Sequence, residues 1–261
     1  MHIMHHIGLR VDERKQHGFS SAGIELELGI TSFCISEDDA RWHDVSNLAR
    51  LYEAIDTTRT AFAVSELNAA RCLVMSANWH HGYPESSDDR GYLRSTYDLT
   101  SYCECCGIGR LQNAPYRMAR SPKWGRRSIL QLNWVFDEYF ATPEAWESVF
   151  APFGIDKRPV LFHGSGKEID SVVQLDIPTV VPVEVSGLPF DVCVQCGRKK
   201  YHHVTRGFFP KPEVTGSTAF KSLQYFGSGA SAYRQVMVSN ALYRKIAGAG
   251  IKGVDFGACA E

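Results

Sequence analysis

No stretch of this sequence approaches the roughly 18 uninterrupted apolar residues that a membrane-crossing helix needs, so no membrane association is expected. Net charge is also missing: 28 Lys and Arg face 29 Asp and Glu, giving −1 at neutral pH. That balance excludes the overall basic excess of a dedicated nucleic-acid binder but leaves room for a local basic patch. The start, Met1-His-Ile-Met-His-His-Ile7, has neither the basic opening nor the apolar run of an export signal. No internal repeat, low-complexity tract or Gly/Ser/Pro linker interrupts the chain. Gly-x-Ser-x-Gly and His-Glu-x-x-His are absent too, and with them the most familiar hydrolase and metalloprotease signatures. What remains is an ordinary globular composition, 44% apolar and 22% charged over 261 residues, enough for a substantial core. Eight cysteines are too few for a disulfide scaffold of this length. A cytoplasmic chain with reduced thiols is the expectation, and there paired cysteines more often bind metal.

Periodicity points to an α+β fold with mixed sheets and peripheral helices. Residues 22–30 alternate apolar and acidic, which predicts a half-buried strand. Val45, Leu48, Tyr52 and Ile55 share a face at helical spacing, predicting a helix from Asp44 to about Asp56. A strand follows at 71–76, then an ordered loop over 80–102. Thr142-Pro143 opens a short helix whose apolar face is Trp146, Val149, Phe150 and Phe153. Strands are expected at 159–162, 171–176 and 180–185. The last forty residues read as a β-α-β unit: strand 235–238, Ser239 as cap, helix 240–247, a glycine stop, and strand 254–256. The expected organisation is an N-terminal α+β region, 1–100, and a cysteine-bearing region, 101–261, in one compact body.

Two segments match each other: Cys103-Glu-Cys-Cys106-Gly107 and Cys193-Val-Gln-Cys196-Gly197. A Cys-x-x-Cys turn aims two sulfurs at one metal, and the glycine after it supplies the positive φ that tightens the turn. Two such knuckles provide Cys103, Cys106, Cys193 and Cys196, the full tetrahedral set of one structural Zn²⁺. With four protein ligands no position stays open for water or substrate. A thioredoxin-like redox pair and an iron–sulfur cluster use the same residues and compete with this reading. Cys105 can stand in for either ligand of the first knuckle. The 86 residues between the knuckles make a loop whose closure costs roughly 4 kcal/mol, so the metal acts as a long-range clip.

Cations crowd the knuckles. Residues 107–127 carry Arg110, Arg117, Arg120, Lys123, Arg126 and Arg127 with no acid, and Trp124 among them. Residues 197–211 add Arg198, Lys199, Lys200, Arg206 and Lys211, again without an acid. One reading is a basic, aromatic surface for a partner, nucleic acid included. The plainer one is charge compensation, because four thiolates around Zn²⁺ carry about −2. The adjacent histidines His80-His81 and His202-His203, the turn His163-Gly-Ser-Gly-Lys167 and the acids Asp137-Glu138 are weaker candidates. A cleft lined by Trp134, Asp137 and Glu138 is the place where an enzyme site would lie.

The two knuckles, the run Gly207-Phe-Phe-Pro210, and the ending Val236-Met-Val-Ser-Asn-Ala-Leu-Tyr243 with Gly250-Ile-Lys-Gly-Val-Asp-Phe256 resemble the bacterial double-CXXCG proteins. The resemblance covers roughly residues 100–110 and 190–256; the first hundred residues lie outside it. It implies an immunity-type protein that neutralises a cognate toxin by binding it. Only the four knuckle cysteines and their glycines carry over by position. A zinc-ribbon nucleic-acid binder is the alternative, and an enzyme with an unrecognised site the third.

Overall fold

The computed structural model describes residues 1–213 and 216–261. They form a mixed α/β fold with several sheets and few helices. The chain divides into two compact units, Met1–Glu66 with Val204–Phe208, and Leu67–His203 with Phe209–Glu261. Residues 67–100 therefore belong with the cysteine-bearing part, and five residues from late in the chain belong with the amino-terminal part.

In the smaller unit β1 (His2–Val11) leads through α1 (Glu13–Ser21) to β2 (Gly29–Ser36), then through α2 (Trp42–Leu51) to β3 (Ile55–Ala61). β1 is the centre of a three-stranded sheet and runs antiparallel to both neighbours. Ile7, Leu9 and Val11 alternate along β1 and bury against Phe19 of α1 and Val45 of α2. Asp12 caps α1 by accepting the Lys15 backbone N–H at 2.9 Å.

Two expectations fail here for identifiable reasons. Residues 22–28 are not a strand: the backbone N–H groups of Ala22, Gly23 and Ile24 turn back to carbonyls of α1. Gly23, at φ +75°, makes that return possible. Leu26 is buried, but Leu28 and Ile30 of the same alternation are exposed, and pairing starts only at Gly29. The helix expected over 44–56 begins at Trp42 and stops at Leu51, because Glu53 turns left-handed (φ +51°) and Ile55 enters β3.

In the larger unit α3 (Val64–Ala69) spans the point of division and precedes β4 (Cys72–Ala77). The 80–102 stretch holds α4 (Gly91–Thr96) and β5 (Tyr97–Asp98). Then come β6 (Leu111–Gln112), β7 (Arg117–Met118), β8 (Ile129–Leu132) and β9 (Val135–Ala141). Thr142 caps α5 (Pro143–Ala145) by accepting the Ala145 N–H, and a widened turn over Trp146–Phe150 buries Val149 and Phe150. β10 (Asp156–Phe162), β11 (Glu168–Asp176), β12 (Val180–Val181), β13 (Phe190–Val192), β14 (Lys199–Tyr201) and β15 (Ala219–Ser222) follow. The chain ends with β16 (Val236–Ser239), α6 (Asn240–Gly248) and β17 (Val254–Ala258).

Two five-stranded sheets result, ordered β7-β10-β11-β9-β8 and β12-β15-β16-β4-β17. β16 and β17 are not neighbours, because β4 lies between them and pairs antiparallel with both. The first sheet carries a core of Tyr116, Met118, Leu130, Phe140, Val160 and Val172. Two small ribbons stand apart, β5–β6 and β13–β14, and each has a cysteine knuckle in its connection. No helix among the described residues is long and apolar enough to cross a membrane.

Candidate metal centre and an adjoining cavity

Both knuckles are built by the same backbone hydrogen bonds. Cys103 N–H donates to the Ile108 carbonyl (2.9 Å), and Gly107 N–H donates to that of Cys103 (2.8 Å). In the second, Cys193 N–H donates to the Arg198 carbonyl (3.0 Å) and Gly197 N–H to that of Cys193 (2.8 Å). Gly107 and Gly197 sit at φ +81° and +71°, the conformation each turn requires.

The four sulfurs converge. Cys103 Sγ lies 3.7 Å from Cys193 Sγ, Cys106 Sγ lies 3.7 Å from Cys196 Sγ, and all four fall within 4.8 Å of one another. A metal bonded to sulfur at ~2.3 Å in a tetrahedron separates its thiolates by about 3.8 Å, so four thiolates so spaced are close enough to bind one metal ion. An S–S bond would need about 2.05 Å. Cys105 is exposed and outside the set, its thiol pushed up by the neighbouring Cys193 sulfur. No other group of three or more His, Cys, Asp or Glu donors converges among the described residues. His81 instead meets the Arg120 carbonyl, His202 meets Asp191 and His203 meets the Tyr233 hydroxyl.

The electrostatics differ between the halves. Burial pushes the Cys106 thiol up to about 12. Backbone N–H groups of Cys196 and Gln195 bring Cys193 down to about 6, and the Arg198 guanidinium lowers Cys196. Arg198 Nε donates to Cys196 Sγ at 3.3 Å while its Nη2 reaches the Ser101 carbonyl at 2.9 Å. It thus ties the second knuckle to the chain that leads into the first. Buried Lys200 does the reverse, donating from Nζ to the Cys106 carbonyl at 3.0 Å and to that of Gly229.

The remaining basic residues occupy several environments. Arg110 is nine-tenths buried, paired with Asp137 at 3.2 Å and lying over the Tyr97 ring. Lys199 is exposed, its ammonium over Phe190. Arg120, Lys123, Arg126 and Arg127 are exposed and Arg117 is half-buried; none of the five forms an ion pair among the described residues. Trp124 is half-buried, donates its indole N–H to the Ser171 carbonyl and meets Trp79 edge-on, with Arg127 over the Trp79 ring. The Asp137-Glu138 pair is split by the alternation of β9, with Glu138 bound to Lys221 at 2.6 Å and accepting from Gln174. Burial raises the Glu138 carboxyl.

A cavity lies beside the first knuckle. It measures about 180 Å³ and is lined by Arg90, Tyr92, Tyr102, Gly107, Arg110 and Trp134, with Ser228, Ala230 and Ser231 at its other wall. Trp134 is the second residue of a two-residue turn between β8 and β9, at φ +67°, where Asn-Gly is the favoured pair. A tryptophan there costs about 1–2 kcal/mol in backbone strain. Stacking on Tyr92 (6.0 Å, 24°) and contact with Tyr83 (4.4 Å) hold it in place. The sequence points to a cleft at Trp134, Asp137 and Glu138; Trp134 does line this cavity, and neither acid does.

Against protein-family models, curated proteins and solved structures, the chain finds no match.

Proposed function

We propose that this chain is a zinc-stapled binding protein of the immunity type, acting by covering a protein toxin. The observation that carries the metal part is the convergence of Cys103, Cys106, Cys193 and Cys196 within 4.8 Å. The set favours a single tetrahedral ion over a polynuclear cluster, whose inorganic sulfides would hold the thiolates further apart. Zinc is the ion that four thiolates on two such knuckles suit best. Four protein ligands leave the metal no catalytic position, so its work is to hold two ribbons together. The toxin-binding part is carried by the double-CXXCG resemblance. Purified protein should contain about one zinc per chain, and it should bind and inhibit a toxin encoded beside it. A chain that neither binds nor protects against that neighbour would sink the reading.

One observation favours a second reading, nucleic-acid binding. Exposed Arg120, Lys123, Arg126 and Arg127 lack ion-pair partners among the described residues and accompany the Trp79–Trp124 pair. Binding of this kind should weaken steeply with salt. The double change Arg126→Glu, Arg127→Glu should reduce the salt slope by roughly 2. Absence of salt-dependent binding at low ionic strength removes this option.

A further inference from the structure

We propose that the cavity beside the first knuckle is a binding site for a small aromatic carboxylate. The inference stands apart from the toxin reading, since it concerns a different feature of the larger unit.

Size restricts the ligand first. About 180 Å³ is many times the room one water needs, yet it falls below the ~300 Å³ at which drug-sized pockets begin. A single ring with one small polar group fits that space; a nucleotide does not. The walls then specify the ring. Tyr92, Tyr102 and Trp134 line the cavity, and the Tyr92 and Trp134 rings lie nearly parallel at 6.0 Å. Such faces favour a flat, apolar body.

Arg110 specifies the anion. Its side chain is nine-tenths buried and lines the cavity, but only one of its five N–H donors finds an acceptor among the described residues, the Asp137 carboxylate. The guanidinium lies over the Tyr97 ring, and no further acceptor for it is found among the described residues. A planar guanidinium fork presented this way matches a planar carboxylate, which can take two parallel hydrogen bonds. Asp137 neutralises one positive charge; Arg90, exposed at the rim, leaves the site with a net positive charge. Finally, Trp134 is held left-handed at the cavity wall. Strain retained at such a place has a use when it positions a side chain for a ligand. An acidic side chain of a protein partner offers the same carboxylate without the ring, and the test separates the two.

The experiment is calorimetric titration of the full-length, zinc-loaded protein with benzoate, benzamide and acetate. Benzoate should bind saturably at one site per chain. Benzamide, which keeps the ring and loses the charge, should bind at least about tenfold more weakly, and so should acetate, which keeps the charge and loses the ring. Trp134→Gly removes a wall at a φ that glycine adopts freely, so zinc content and folding should persist while benzoate affinity falls about tenfold or more. Arg90→Ala, at the exposed rim, should weaken benzoate by a smaller factor without touching the fold. No benzoate binding at millimolar concentration overturns the proposal. So does equal binding of benzamide, or benzoate affinity unchanged in Trp134→Gly. Should Trp134→Gly lose its zinc, unchanged benzoate affinity in Arg90→Ala overturns it instead. Tighter binding of acetate than of benzoate would assign the cavity to an acidic side chain and likewise overturn the small-molecule reading.

Discussion

The two knuckles share a five-residue pattern, the same backbone hydrogen bonds and the same left-handed glycine, yet one is embedded and the other applied from outside. A Cβ on Gly107 would sit 2.4 Å from the Ala230 carbonyl oxygen, whereas one on Gly197 would meet nothing within 4 Å. Cys103 and Cys106 are both buried, while in the second knuckle Cys193 is buried and Cys196 only half-buried; the residues inside both turns are exposed. The thiols follow: burial raises Cys106, and backbone and guanidinium donors lower Cys193 and Cys196. The difference teaches that a repeated motif can divide labour. The first knuckle belongs to the body of the fold and the second closes over it, with Arg198 and Lys200 as cross-ties.

The largest expected effect tests whether the halves need each other. Cys193→Ser, or exhaustive chelation, should abolish metal binding and destabilise the larger unit by about 4 kcal/mol or more, the cost of closing the intervening loop. Metal analysis and denaturant unfolding would read it; a variant with full metal content and unchanged stability would refute the clip. The glycines come next and should separate the halves. Gly107→Ala faces both a forbidden φ and a backbone clash and should cost about 2–5 kcal/mol. Gly197→Ala faces only the φ and should cost about 1 kcal/mol. Equal losses would erase the distinction drawn above. Arg198→Met should lower stability by less than about 1 kcal/mol, since the guanidinium is partly solvated, but should speed zinc loss to a competing chelator. Cys105→Ser should leave zinc content unchanged, which a stoichiometry measurement settles.

The knuckles were legible in the sequence because their geometry is local: three residues fix the sulfur spacing and the next fixes the turn. That Cys105 stands aside, exposed while Cys103 and Cys106 are buried, was not, because either register satisfies the spacing. The cations were legible as a cluster but not by role. Arg110, Arg198 and Lys200 find their acceptors 27, 97 and 94 residues away, and no window of sequence displays such pairs. In the smaller unit the alternation at 22–30 was right about Leu26 alone, since Leu28 and Ile30 are exposed and the backbone at 22–24 is spent on ending α1. The strands β4, β10 and β11 were readable from apolar runs. Of the cavity, the sequence singles out Trp134 but with the wrong companions, Asp137 and Glu138, because the lining comes from four separate stretches of chain.

The separation of 90 positions from Cys103 to Cys193 also has a meaning in time. At roughly 5–20 residues per second of synthesis, the first two thiols leave the ribosome ~5–20 s before their partners exist. During that interval the embedded half of the site is two unliganded sulfurs on an unfinished chain. Whatever protects them then must be supplied by the cell, because the half of the fold that encloses them has not yet been made.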